Sequence, residues 1–284
     1  ALTIERLSEL PAEKDSSTDL LRAMGHLSPD VRRYAVERWP EIPTQSTLYK
    51  VRVLGDMLVR DRDGSVRRAA TDGLYSLGPD AAPALQQILH ALDNDELRRV
   101  RSGAARTLKG IGAPARMQLT RIVARLASEQ DWVVAAELAT AVAALAPDDE
   151  RTVKALTGAM KHPHVYVRKR ALLELRGLGE QARAALPELL DHMDERTYDP
   201  AHYFAAAAVA GLTHAGTNQR IRAEAIVTEA ALATGLPVWH GFSVELSEDG
   251  QSVVEWRDGF FVHPCEPFDE LVATITAMGG EAAG

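Results

Sequence analysis

The chain has 284 residues, 46% of them hydrophobic and 25% charged, with a formal net charge of −8. That is the composition of a folded protein in water, and its acidic balance argues against a general binder of nucleic-acid phosphates, which needs a basic surface. Cys265 is the single cysteine, so no intrachain disulfide is expected, and no apolar run approaches the ~20 residues that cross a bilayer.

From residue 31 onward an apolar residue recurs with companions four, eight and eleven positions later. In chain order the rows are Val31, Ala35, Trp39, Ile42; Val66, Ala70, Leu74, Leu77; and Val100, Ala104, Leu108, Ile111. Then come Val134, Leu138, Val142, Leu145; Val167, Ala171, Leu175, Leu178; and Phe204, Ala208, Leu212, Ala215. The first members stand 35, 34, 34, 33 and 37 residues apart. Eleven steps at this spacing make one stripe on a helix, and a period of this length means stacked helix pairs rather than one globular core. Gly78, Gly112, Gly179 and Gly216 each follow a row, which suits a left-handed C-cap. Pro43 and Ala146 stand there in the first and fourth repeats, whose endings should differ. Between rows lie second amphipathic stretches such as 84–89 and 185–190, with Pro83 and Pro187 near their starts.

Beyond residue 235 the pattern changes. Residues 242–246, 251–256 and 260–263 alternate in polarity, separated by Glu248-Asp249-Gly250 and Asp258-Gly259, and a helix is expected over 267–278. Nine of the fifteen aromatic residues lie at or beyond Tyr198. The expected division is therefore a repeat domain over 1–235 and a three-stranded β-meander with a helix over 236–284. The second part would cap the last repeat, or present Trp239, Trp256 and Phe261 to a partner.

The stretch Asp63-Gly64-Ser65-Val66-Arg67-Arg68-Ala69-Ala70 with Leu74, Leu77, Gly78 and Pro79 resembles a HEAT repeat, as does Val167-Arg168-Lys169-Arg170-Ala171 with Leu175, Leu178 and Gly179. The likeness is closest to bacterial HEAT-like repeats also found in phycobilin lyases, and it runs over about residues 15–235. It implies an all-α protein, a right-handed α-solenoid of about six HEAT-like helix pairs, whose row-bearing helices line the concave side. It also implies that Arg32, Arg67, Arg101 and Arg168, one place into each row, pair with loop aspartates. Asp30 and Asp63 are the expected partners.

At ~100° per residue, positions two, six and nine of each row fall opposite the buried stripe. They carry Arg33, Glu37, Pro40; Arg68, Asp72, Tyr75; Ser102, Arg106, Lys109; Ala136, Thr140, Ala143; Lys169, Leu173, Arg176; and Ala206, Ala210, Thr213. A basic track is expected on repeats one to three and five, with small apolar surfaces on four and six. The windows around the rows hold 14 Lys and Arg against 7 Asp and Glu, a net +7, so the rest of the chain carries −15 of the total −8. Such a groove suits an acidic or helical protein segment. The expected contacts are Arg33, Arg68, Arg106, Lys109, Lys169 and Arg176, with Tyr75 and Tyr203 as aromatic anchors.

Signals for catalysis are poor: no Gly-rich phosphate loop, no His-Glu-x-x-His, no Cys-x-x-Cys and no Gly-x-Ser-x-Gly. His162 and His164 flank a proline and read as turn residues rather than metal ligands. No cofactor and no metal are expected. The leading expectation is a non-enzymatic scaffold or adaptor in a cytoplasmic setting, with no membrane partner and no leader segment. Two alternatives remain: a nucleic-acid binder like the HEAT-like DNA glycosylases, whose Trp and Asp types are present at Asp131-Trp132, and a pigment or cofactor lyase subunit.

Overall fold

The apolar rows lie along helices of the computed structural model, which describes residues 17–194 and 201–213 together with 4–5, 217–220, 222–223 and 226. Among the described residues every regular element is helical. The meander and helix expected over 236–284 lie outside the described residues. No helix among the described residues is long and apolar enough to cross a membrane. The chain divides into two compact units, Ala1–Ala159 and Met160–Gly284.

The first unit contains α1 (Ser17–Met24), α2 (Pro29–Arg38), α3 (Thr47–Arg60), α4 (Gly64–Ser76) and α5 (Leu85–Asn94). It continues with α6 (Arg98–Ile111), α7 (Leu119–Ser128), α8 (Trp132–Leu145) and α9 (Glu150–Ala159). The row-bearing helices α2, α4, α6 and α8 pack each on the next, while α3 packs on α5 and α7 on α9 in a second layer. The row is what holds the layers together. Val66, Ala70 and Leu74, then Val100, Ala104 and Leu108, then Val134, Leu138 and Val142 are all fully buried. Each buried Leu or Val contributes about 1.5–3 kcal/mol, so the stripes carry the net stability.

Helix starts follow from short polar side chains. The Asp63 carboxylate accepts the Ser65 N–H at 2.8 Å, and Asp131 accepts from Val133 and Val134 at 3.0 and 3.4 Å. Ser46 caps α3 by accepting from Tyr49 at 3.3 Å. Helix ends need a finer statement than the sequence pattern provides. Gly112 closes α6 at φ 72° and ψ −130°. The φ is positive as expected, but the ψ lies in the mirror image of the β region, which glycine alone reaches without strain, rather than in the left-handed helix. Repeat four ends differently, as expected, with Ala146 at φ −147°.

A second periodic element joins neighbouring repeats. Arg32 binds both carboxylate oxygens of Asp61, at 2.7 and 2.8 Å, and its remaining amino group donates to the carbonyls of His26 and Leu27. Arg67 does the same with Asp95, at 2.6 and 3.1 Å, and with the carbonyls of Asp61 and Arg62. Arg101 bonds the carbonyls of Asp95 and Glu96 and lies 3.8 Å from Glu129. The structural role expected for these arginines is thus observed, but the partners Asp30 and Asp63 are corrected. Asp63 caps its own helix, and Asp30 lies 3.7 Å from Arg33. In each case the first acid met stands five places before the next row, while Glu96 and Asp131 approach Arg67 and Arg101 at 3.4 and 4.0 Å. Each such acid also fixes its own turn: Asp61, Asp95 and Glu129 accept the N–H two residues on, at 2.8, 2.9 and 2.9 Å. The Asp61 hydrogen bond holds the Arg32 guanidinium above its ordinary pKa, and Asp95 does so for Arg67.

The second unit holds α10 (Val165–Leu178), a 3-10 segment Gly179–Ala185, α11 (Leu186–Asp194) and α12 (Ala201–Leu212). Both α10 and α11 pack on α12 through Val167, Ala171 and Leu175 and through Ala205, Ala208 and Val209, all buried. Arg168 repeats the carbonyl bonds of its counterparts, to His162 and Pro163 at 2.7 Å. His164 caps α10, its Nδ1 accepting from Tyr166 at 3.3 Å, and His162 Nδ1 accepts from His164 at 3.0 Å.

Removing one partner of a buried pair leaves the other charge stranded, which costs about 3–5 kcal/mol, whereas an exposed pair is worth under about 1 kcal/mol. Arg67 and Asp95 are 11% and 6% exposed, while Arg121, paired with Asp93, is 41% exposed. Urea denaturation should therefore show Arg67→Ala strongly destabilised and Arg121→Ala nearly unchanged. Equal effects would show that the inter-repeat pair has no special weight.

Candidate functional site

Helices α4 and α6 each pack between two row-bearing neighbours and against the second layer, so only a narrow strip of each meets solvent. On α4 that strip carries Arg68, Asp72 and Tyr75, and on α6 Arg99, Arg106 and Lys109. Tyr75 is 48% exposed. The Arg106 guanidinium stands over its ring at 5.6 Å from the centroid, within cation–π range. The ring rests against α6, where a Cβ built on Gly110 would lie in van der Waals contact with it at 3.6 Å.

Asp72 sits between the two helices' cations, 3.5 Å from Arg68 and 3.7 Å from Arg106. Lys109, one turn beyond Arg106, has no ion-pair partner among the described residues. The structure thus brings Arg68, Tyr75 and Arg106 together around Asp72, a carboxylate that the expected contact set did not include. Its position six in the row was legible; that it would serve arginines of two helices was not.

Arg33 stands apart on α2. It donates to Glu37 at 2.7 Å and lies 3.7 Å from Asp30. The Glu37 hydrogen bond, followed by its charge, raises the guanidinium above its ordinary pKa. The track over repeats one to three is therefore less basic than a count of arginines implies, because Glu37 and Asp72 occupy the same strip.

In the second unit, Lys169 and Arg176 lie on α10. Lys169 Nζ is 5.9 Å from the Tyr166 ring centroid and 5.3 Å from that of Phe204. Phe204 holds the inward place of its row by spacing, yet it is half-buried and serves as a platform for this cation. Arg176 runs along α12, its Cγ 3.8 Å from where a Cβ on Gly211 would stand. Tyr203 belongs to α12, and its side chain lies outside the described residues.

Position two is less exposed than helical geometry implies. Ser102 is 9% exposed, Ala136 5% and Ala206 0%. A short side chain between packed helices does not reach past the longer ones beside it. The small apolar surface expected on repeat four is corrected accordingly, since Ala143 is buried as well, at 6%. Asp131 is committed to capping α8, and among the described residues no group of His, Cys, Asp and Glu is placed to hold a metal ion.

The strip pairs Arg68–Asp72 and Arg106–Asp72 are about half-exposed, so each contributes little to stability. Arg68→Gln, Asp72→Asn and Arg106→Gln should each shift the unfolding free energy by less than about 1 kcal/mol. A larger loss in chemical denaturation would mark the cluster as structural.

A family model described as HEAT repeats matches residues 17–109 and again 51–143. No curated protein matches the sequence. A chain from the structure of Kap95p with RanGDP is similar at 15% identity and a TM-score of 0.54, over 95% of this chain and 38% of that one. One from Kap121p bound to Nup53p is similar at 15% identity and a TM-score of 0.50, over 82% and 27%. A crystal structure of an engineered protein matches at 17% identity and a TM-score of 0.49, over 75% and 98%. At these identities the likeness is one of fold, and this chain spans well under half of the first two.

Proposed function

We propose that this chain, which is a HEAT-repeat protein, is a non-enzymatic scaffold that holds an acidic or helical segment of another protein along its row-bearing helices. The observation that carries this reading is Tyr75, half-exposed and overlaid by Arg106 from the next helix, with Arg68 and Lys109 beside it. An aromatic ring and cations held on two packed helices are partly preorganised, and Tyr and Arg are the side chains that most often dominate binding energy at protein interfaces. Arg33 would extend the contact surface of the first unit, and Lys169, Arg176 and Tyr203 would be contacts of the second unit in their own right. The likeness to chains seen with RanGDP and with Nup53p supports a protein as the partner. Residues 236–284 would close the repeat domain of 1–235 as a cap. A cytoplasmic setting fits the single cysteine.

Nucleic-acid binding is the second reading, favoured only by the clustering of Arg98, Arg99, Arg101, Arg106 and Lys109 on α6. Two acids on the same strip and the net charge of −8 weigh against it.

Arg68→Glu combined with Lys109→Glu should abolish capture of the partner that the unaltered protein retains from host extract, with the melting temperature unchanged. Equal capture by the double variant would remove the strip from the binding surface. A gel-shift series with duplex DNA from low to moderate salt separates the second reading: binding at low ionic strength that the same double variant loses would replace the protein segment with nucleic acid.

A further inference from the structure

The two arginines around Asp72 are held differently from those that join the repeats. Arg32 and Arg67 bind their carboxylates at 2.6–3.1 Å, with both oxygens engaged and the exposure of each partner under 15%. Arg68 and Arg106 reach one shared carboxylate at 3.5 and 3.7 Å, with all three side chains between 44% and 52% exposed. Those distances exceed the ~2.7–2.9 Å of a charge-assisted hydrogen bond, so neither guanidinium has spent its fork of donors on Asp72. Lys109, one turn beyond Arg106, adds a third cation to this cluster, with Arg99 further along the same strip. Three cations against one carboxylate leave this patch at a net +2 beside the exposed Tyr75 ring.

We propose that Asp72 is an internal stand-in for a partner's carboxylate: it keeps Arg68 and Arg106 aimed at one point and competes with the incoming acidic segment for them. The inference rests on the scaffold reading above and names the partner's chemistry. The occupant is a protein segment with two carboxylates flanking an apolar residue, one carboxylate taken by the arginine pair, the other by Lys109, and the apolar residue by Tyr75. Charge complementarity carries this choice: a short side chain can displace one weakly held carboxylate, whereas a continuous phosphate backbone must pass both Asp72 and Glu37 on the same strip.

Loss of the Asp72 charge lifts simple repulsion as well as competition, so the dependence of the gain on Arg68 is what identifies the stand-in. The probe is a fluorescein-labelled peptide of sequence Glu-Glu-Leu-Glu-Glu-Leu-Glu-Glu, read by anisotropy at low salt on the full chain. Asp72→Asn should tighten its binding about three- to tenfold, the range expected for freeing two exposed charges. Glu150→Gln, on α9 and paired with Lys154, makes the same change in net charge and should leave binding unaltered. Adding Arg68→Gln to Asp72→Asn should remove the gain. Unchanged or weaker binding by Asp72→Asn, while Arg68→Glu with Lys109→Glu still abolishes binding, would overturn the stand-in and leave the scaffold reading in place. Peptide binding indifferent to Arg68→Glu with Lys109→Glu would overturn the scaffold reading itself. An equal gain for an oligothymidylate of matching charge would overturn the acidic protein segment as occupant. Melting curves of each variant exclude loss of fold as the cause.

Discussion

An arginine clamped between two loop carbonyls of its own repeat and a carboxylate of the next sets the register of this molecule. Arg32 with Asp61 and Arg67 with Asp95 close the contact with both oxygens, and Arg101 approaches Glu129 in the same sense. Because the carboxylate also accepts the N–H two residues further on, one side chain fixes both the turn that begins a repeat and the distance to the repeat before it. Such buried pairs add little net free energy over an apolar substitute. Their consequence is geometric: with the arginine seated, the next helix can lie in only one register, and that register is the one in which successive stripes meet.

Burial of the stripes supplies the stability that the clamps direct. Gly103 shows how close the helices come, since a Cβ there would lie 2.7 Å from the Thr71 hydroxyl oxygen. Thr107 uses the same approach, donating to the carbonyl of Thr71 on the neighbouring helix at 3.3 Å. Close packing on both flanks is what narrows the solvent-facing surface of α4 and α6 to a single file of side chains. A partner held there, as proposed, would meet few residues, and Asp72 lies within reach of two arginines at once.

The same spacing exposes a departure. His26, Asp61, Asp95, Glu129 and His162 stand five places before their rows, and all five accept the N–H of the residue two places on. Imidazole nitrogen thus replaces carboxylate in the turn without disturbing it. It does not replace the charge. The row before His162 carries Ala135 where the other rows mostly carry arginine.

The structural role of the first-position arginines came from the resemblance to HEAT repeats. Repeat length, the identity of the buried stripe and the need for glycine after α6 were legible in the sequence, because each depends on periodicity or on one residue's own conformational limits. Which acid meets each arginine was not, since loop paths bring Asp61 rather than Asp30 to Arg32 across 29 residues. Nor was the pairing of Arg106 with Tyr75 and Asp72, which belong to a different helix, or the half-exposure of Phe204 beneath Lys169. Sequence spacing specifies the face a side chain occupies on its own helix. Only the packing of one helix against the next decides what that side chain touches, because those contacts depend on how far and at what height two helices stand side by side.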